Sequence, residues 1–252
     1  MSHLNYYWTT CQNYLVHKML FQSIVLAAGN PDSDYRKCNF QIAENCTLLE
    51  FAARAFASAK NSVIALNPYD YEYFIHQKLD GSPNLVNIVR PTQGALATSG
   101  MCLDLLTEDL PIVVSAIDGI CLGIMENFLV KMSELDADGG VVIFPSKNPN
   151  YSYVRISHGI PIEFAEKVQV GEKATAGIFY FKNKTLLLEA IGWAILNQIK
   201  YDDTYYLSSA MNKFIFEGKS VGLFETSEDN YYRFSTKDAA LDSRNRMRKS
   251  FG

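Results

Sequence analysis

The sequence predicts a single α/β domain built on a largely parallel sheet with helices on both faces. Three observations predict it. Short apolar runs closed by turn residues alternate with stretches of helical spacing through the first half, so the order reads βαβαβαβ. The chain has 252 residues and is 48% hydrophobic, enough for one substantial core. No internal repeat and no low-complexity segment breaks it into modules.

Ser23 to Ala28 is a short apolar run stopped by Gly29-Asn30-Pro31-Asp32, a buried strand ending in a turn. Leu48, Phe51, Ala52, Ala55, Phe56 and Ala59 fall at helical spacing, with Thr47 as the cap. Ser62–Leu66 is a second strand, Pro68–Gln77 a helix and Leu85–Val89 a third strand. Thr92 opens a loop-to-helix segment running to about Leu106. Pro111–Ile117 is the most apolar strand and ends at Asp118-Gly119. Strands follow at Gly140–Phe144, Tyr153–Ile156, Ala174–Phe181 and Lys219–Phe224. Helices are expected over about Lys184–Ile199, where Leu187, Ile191, Ile195 and Ile199 lie four apart, and over about Tyr206–Glu217, stopped by Gly218. Residues 1–22 form an N-terminal extension, read as a short extra helix or the remnant of a neighbouring segment. Residues 23–252 form the domain.

Composition excludes several classes. The net charge is −4 and no block of like charge occurs, so neither nucleic acid nor an anionic membrane surface is an expected partner. The basic cluster Arg244, Arg246, Arg248, Lys249 reads as a solvated tail. No apolar run is long enough to span a membrane. Five cysteines without a CxxC pair argue for reduced thiols and a cytoplasmic location. The four histidines show no metal-binding spacing, and no GxSxG pattern is present.

In open α/β sheets ligands sit beyond the carboxyl ends of the strands, which singles out the residues there. Leu26-Ala27-Ala28-Gly29 lets backbone N–H groups approach a phosphate or a base, although alone it reads equally as a plain turn. It is neither a GxGxxG nor a P-loop. Gln93-Gly94, where strand hands over to helix, offers an amide to a base edge, or is simply a capped helix start. Asp118 is a carboxylate closing a buried strand, a natural Mg²⁺ ligand or a turn aspartate. Glu166-Lys167 offers a mobile cation for a phosphate, or a surface ion pair.

Taken in order, these segments resemble the sugar-phosphate nucleotidyltransferases, or NDP-sugar pyrophosphorylases, and most of all a subgroup associated with bacterial capsule and lipopolysaccharide. The resemblance runs from about Ser23 to Leu241. It rests on Ser23-Ile-Val-Leu-Ala-Ala-Gly29, Thr92-Gln-Gly-Ala95, Val114-Ser-Ala-Ile-Asp118, Tyr151-Ser-Tyr-Val-Arg-Ile156, Ala165-Glu-Lys167, Ala174-Thr-Ala-Gly-Ile-Phe-Tyr-Phe181 and Tyr231-Tyr-Arg-Phe-Ser-Thr-Lys-Asp238. It implies a Rossmann-like GT-A fold and an enzyme that transfers a nucleoside monophosphate from a nucleoside triphosphate to a sugar phosphate or similar phosphorylated small molecule with Mg²⁺ as cofactor, releasing pyrophosphate and making a precursor for surface polysaccharide. Leu26, Ala27, Ala28, Gly29, Gln93 and Gly94 would meet the nucleotide. Tyr153, Glu166, Lys167, Thr175 and Gly177 would meet the second substrate, and Asp118 would hold the metal. A homo-oligomer is compatible with it.

Two departures stand out. The loop after Gly29 is longer than in that family, acidic in its middle, and lacks the arginine that clamps the triphosphate. Arg36 and Lys37 are the cations available to fold back in its place, so Lys37 joins Asp118 and Lys167 as a catalytic candidate. At the position of the second metal-binding aspartate stands Arg233, with Asp238 and Glu225 as possible substitutes or plain surface charges. These departures also fit a non-catalytic nucleotide-sugar-binding relative. A GT-A glycosyltransferase is the third reading. Its Asp-x-Asp pair would have to be Asp136-Ala-Asp138, which reads as a turn.

Overall fold

A computed structural model describes residues 19–29, 35–107 and 109–251; the expectations for residues 1–18 and for the middle of the loop after Gly29 lie outside them. The opening strand β1 (Gln22–Ala27) sits at the centre of the main sheet, while the short β2 (Gln41–Ala43) and β3 (Cys46–Thr47) pair with each other apart from it. On one side it pairs in parallel with β4 (Asn61–Leu66), which pairs in parallel with β5 (Asn84–Asn87). On the other it pairs in parallel with β6 (Ile112–Ala116). The chain thus lays three strands outward from β1 and then returns to its far side. The reversal leaves a crevice at the carboxyl ends of β1 and β6.

β1 is buried along its whole length, and its side chains alternate between two apolar clusters. Val25 and Ala27 join one with α1 (Leu48–Ala55) and α4 (Met125–Glu134). Ile24 and Leu26 join the other with α3 (Ala95–Gly100), α5 (Lys184–Leu196) and α6 (Leu207–Phe216). A strand covered on both faces needs no polar alternation, which is why it reads as a continuous apolar run. The expectation of a mostly parallel sheet with helices on both faces is met.

Beyond β6 the sheet turns antiparallel. The long strand β11 (Lys173–Phe181) pairs with β6 through Ile178–Phe181, and on its other edge with β8 (Gly139–Pro145), which pairs in parallel with β12 (Val221–Glu225). The first residues of β11 pair with β9 (Tyr153–Ser157), which forms a hairpin with β10 (Ile160–Ala165). The β9–β10 hairpin therefore continues along β11 past the point where β6 stops, and walls one side of the crevice. At the handover the pairing of β11 with β8 is irregular between Thr175 and Phe179, and Gly177 adopts φ +74° there. A left-handed residue inside a strand favours glycine and marks a bulge.

Several elements are shorter than their patterns. The helix expected to reach Ile199 stops at Leu196, and Gln198 takes φ +54°. The Pro68–Gln77 helix is α2 (Pro68–Phe74). Thr47 caps α1 in a full capping box with Glu50. One reading is corrected. The basic cluster near the C-terminus belongs to α7 (Lys237–Phe251), which buries Ala240, Ser243 and Met247. Arg246 donates to the carbonyls of Asp229, Glu228 and Tyr231, and Arg244 lies over Phe40; only Arg248 and Lys249 are exposed. The long aliphatic stems and guanidinium donors make a cluster that looks solvated into packing and capping groups.

Gly94 is the position where backbone geometry is most demanding. Its φ is +108°, and a Cβ there would lie 2.5 Å from Thr204 Cγ2 and 2.6 Å from the Tyr205 carbonyl. Gly94→Ala should therefore cost roughly 2–4 kcal/mol from combined strain and overpacking. Urea denaturation tests this, and a change within about 0.5 kcal/mol, the range of ordinary surface substitutions, would contradict it.

Candidate functional site

The crevice begins with the two strands that flank it. The Ile117 N–H donates to the Leu26 carbonyl at 3.1 Å, so the β1–β6 pairing continues to the residue before Asp118. Gly29 and Asp118 thus leave the sheet side by side. Among the described residues, no atom beyond Gly29 and its chain neighbours lies within 4 Å of the place where a Gly29 Cβ would stand. From below, the Asn67 side chain, at the end of β4, donates to the Gly29 carbonyl at 3.1 Å. Asn67 is itself fixed by the buried Asp70 carboxylate at 2.7 Å, and Asn39 donates to the other oxygen of that carboxylate. This Asn67–Asp70 brace was not singled out in the sequence. Its signal was the Asn-Pro-x-Asp run after an apolar strand, a helix cap read only as a helix start.

Asp118 is held by its own backbone. The Phe234 N–H donates to the Asp118 carbonyl at 2.8 Å, and the Tyr35 hydroxyl donates to the Phe234 carbonyl at 2.9 Å. Phe40 packs against both Tyr35 and Phe234. These contacts close a ring that carries Lys37, two residues beyond Tyr35, to the aspartate. Lys37 Nζ lies 3.1 Å from Asp118 Oδ2, and both side chains are about one third exposed, at 34% and 37%. Burial, reinforced by the nearby Asp118 charge, pushes the Tyr35 phenol well above its usual range, so it stays a neutral donor. Of the two cations that follow the loop, Lys37 is at Asp118. Arg36 lies 3.7 Å over the ring of Tyr69 on α2.

A second group lies along the hairpin wall. Glu166 follows β10 and is 9% exposed. Its carboxylate accepts from the hydroxyls of Ser152 and of Ser208, the latter at 2.9 Å. It is therefore not half of a surface ion pair. Burial holds its carboxyl above the usual glutamate range, opposed by the two hydroxyls and by Lys167. Thr175 joins this group through its N–H, which donates to the Ser152 carbonyl at 2.8 Å. Lys167 has φ +52° and extends over the rings of Tyr201 and Tyr206, at 5.1 and 5.6 Å. The Tyr206 hydroxyl, above all, raises its pKa and keeps it charged. The same 201–206 loop holds Gln93 and Gly94: the Tyr205 N–H donates to the Gln93 carbonyl at 2.8 Å, and the Gln93 side chain is exposed. Ser152, Ser208, Tyr201 and Tyr206 carried no local pattern, because only the folding of three distant segments brings them together.

Gly177 joins the two groups. A Cβ at Gly177 would be 3.6 Å from the Cβ of Ala116, two residues before Asp118, while Thr175 lies two residues, about 7 Å, further along β11. Tyr153 does not face the crevice. It is fully buried and its hydroxyl donates to the Asn148 carbonyl at 2.7 Å.

The donor set does not fit a magnesium ion held by two protein carboxylates. Mg²⁺ calls for near-octahedral oxygen ligands, with one or two carboxylates anchoring it. Arg233 pairs across Gly119 in the β13 (Tyr231–Arg233) to β7 (Gly119–Cys121) ladder, opposite the residue after Asp118, and its guanidinium lies 5.1 Å over the Tyr151 ring. Glu225 is paired with Lys173, and Asp238 is exposed in the first turn of α7. Among the described residues no group of three or more His, Cys, Asp or Glu is arranged to hold a metal. The ammonium already on Asp118 adds repulsion against a second cation there, about 4 kcal/mol per pair of unit charges 4 Å apart near a protein surface.

The Asp136-Ala-Asp138 pair lies elsewhere. β8 runs parallel to β6, because both are antiparallel to β11, so residues before β8 sit at the amino ends of the strands. Asp136 pairs there with Lys182, and Asp138 accepts from the Ser220 N–H. This distances the crevice from the Asp-x-Asp arrangement a glycosyltransferase reading needs.

The sequence matches no protein-family model and no curated protein. Solved structures do match in fold. A nucleoside-diphosphate-sugar pyrophosphorylase from Vibrio cholerae RC9 is 19% identical with a TM-score of 0.75, covering 88% of this chain and 99% of its own. A putative glucose-1-phosphate thymidylyltransferase from Bacillus anthracis is 14% identical with a TM-score of 0.71, covering 89% and 94%. The inositol-1-phosphate CTP transferase of T. maritima is 12% identical with a TM-score of 0.70, covering 92% and 98%. The chain has the Rossmann-like α/β fold of these nucleotidyltransferases.

The raised Glu166 pKa makes a prediction with a definite sign. The folded protein holds this proton more tightly than the unfolded chain, so the associated stability is complete below the ordinary value of 4.5 and is lost as pH rises through the folded pKa. Glu166→Gln should therefore raise the melting temperature at neutral pH relative to the parent, with the gain shrinking toward pH 4.5. A gain that grows on acidification, or a variant less stable at neutral pH, would oppose this sign.

Proposed function

We propose that this protein transfers a nucleoside monophosphate from a nucleoside triphosphate to a phosphorylated small molecule, a sugar phosphate or similar polyol phosphate. The supporting observation is the convergence of Gly29, Asp118 and Lys37 at the switch point of a nucleotidyltransferase fold, with Glu166, Lys167 and Thr175 along the adjoining wall. In the reaction a phosphate oxygen of the acceptor attacks the α-phosphorus. The bond from that phosphorus to the bridging oxygen breaks, and pyrophosphate leaves with the electron pair. Such chemistry asks the protein mainly for alignment and charge neutralisation. The Gly29 loop would take the phosphates from the backbone side, Lys37 would neutralise them beside Asp118, and Gln93 would face the base. Lys167, held charged by Tyr206, would meet the acceptor phosphate, while Glu166, fixed by two hydroxyls, would accept from acceptor hydroxyls.

The product we infer is an activated nucleotide-linked precursor for surface polysaccharide, made in the cytoplasm, where nucleoside triphosphates are supplied. In keeping with this, no helix among the described residues is long and apolar enough to cross a membrane, and Cys38, Cys46, Cys102 and Cys121 are free thiols. A second reading, a nucleotide-sugar-binding protein without turnover, is favoured by Arg233 at the second acid position.

Pyrophosphate release from CTP, UTP, dTTP or GTP with a panel of sugar and polyol phosphates separates the two. Turnover with one pair supports transfer, and Lys167→Ala should then lower kcat/KM about 10- to 100-fold, mainly through KM for the phosphorylated acceptor. Nucleotide-induced thermal stabilisation without turnover on any pair, with or without divalent cations, selects the binding protein. Neither response would falsify both.

A further inference from the structure

We infer that Lys37 is a built-in replacement for a divalent cation in this crevice, so that nucleotide phosphates are gripped beside Asp118 without bound metal; the inference rests on the nucleotide-binding reading above. Three independent features of the structure point there. Lys37 Nζ lies 3.1 Å from Asp118 Oδ2, against the one carboxylate that closes β6. Opposite Gly119, the residue after Asp118, stands Arg233, whose guanidinium lies 5.1 Å over the Tyr151 ring, so this position supplies no second carboxylate. The ammonium is also delivered by a fixed path. Tyr35 is 9% exposed and bonded to the Phe234 carbonyl, and Phe234 is bonded in turn to the backbone of Asp118. Lys37 is thus anchored two residues away, while its head remains partly exposed to the crevice.

The chemistry is suited to the task. An ammonium has three donors. One satisfies Asp118 and the other two remain for phosphate oxygens. Asp118 then acts as a positioning residue for the lysine rather than as a metal ligand. A single charge neutralises less than a dication, and backbone N–H groups at the strand ends can add to the favourable field.

The test is nucleotide binding, followed by calorimetry with CTP, UTP, dTTP and GTP in EDTA and again with millimolar Mg²⁺, on the full chain and on Lys37→Ala. Circular dichroism and a melting curve check that the variant is folded, as expected for a side chain one third exposed. The expected result is that the parent binds a nucleotide in EDTA with an affinity that Mg²⁺ changes by less than about threefold. Lys37→Ala should lose about tenfold or more in EDTA and recover part of it with Mg²⁺, because Asp118 is then free. Parent binding that needs Mg²⁺ overturns the inference while leaving nucleotide binding intact. Equal binding by parent and variant in EDTA also overturns it. No binding of any nucleotide in either buffer overturns the nucleotide-binding reading as well.

Discussion

The 3.1 Å contact between Lys37 and Asp118 is the interaction on which the crevice depends. It joins a segment beyond the first strand to the end of the fourth parallel strand of the sheet, and it is the last link of a ring through Tyr35, Phe234 and the Asp118 backbone. An exposed ion pair is worth little by itself, since solvent screening and side-chain entropy offset most of the attraction. Here the entropy is largely met elsewhere, by the buried Tyr35 hydroxyl and by the Phe40 contacts. The pair therefore matters less for stability than for the charge it fixes at the mouth of the sheet.

The sheet makes that mouth. Strands β4 and β5 are placed outward on one side of β1 and β6, also parallel, on the other, so the loops after β1 and β6 diverge and leave room between them. The antiparallel half extends the site rather than closing it. β11 passes β6, kinks at Gly177, and carries the β9–β10 hairpin beyond it. That hairpin is followed by Glu166, bonded to Ser208 on α6, and by Lys167, which reaches over the 201–206 loop that also holds Gln93 and Gly94. One long strand thus sets the spacing between the two halves of the site.

Much of the fold was legible because its signals are local. The apolar runs of β1, β4 and β6 and the Thr47 cap are written in consecutive residues. The elements that escaped have faint patterns. α7 buries Ala240, Ser243 and Met247, a narrow stripe of mostly small residues beneath a charged surface. β7 and β13 are three residues each and exist only because they pair with one another. In the site the same rule holds. Asp118 and Gly29 stand at strand ends and could be singled out by position. The Tyr35–Phe234 bond spans nearly the whole chain, and the two serines on Glu166 come from different elements, so no spacing reveals them. Lys37 was visible only as a cation near a loop that lacked one. Tyr153 had the right neighbourhood in sequence, but its ring alternates into the core.

The central claim is that the nucleotide sits at this switch point with its phosphates on Lys37. A crystal structure with a bound nucleoside triphosphate tests it most directly. The account predicts phosphate oxygens within hydrogen-bond distance of Lys37 Nζ and of the backbone at Gly29, with Asp118 still touching the ammonium. A nucleotide bound elsewhere, or phosphates bridged to Asp118 by a metal with Lys37 turned away, would contradict it.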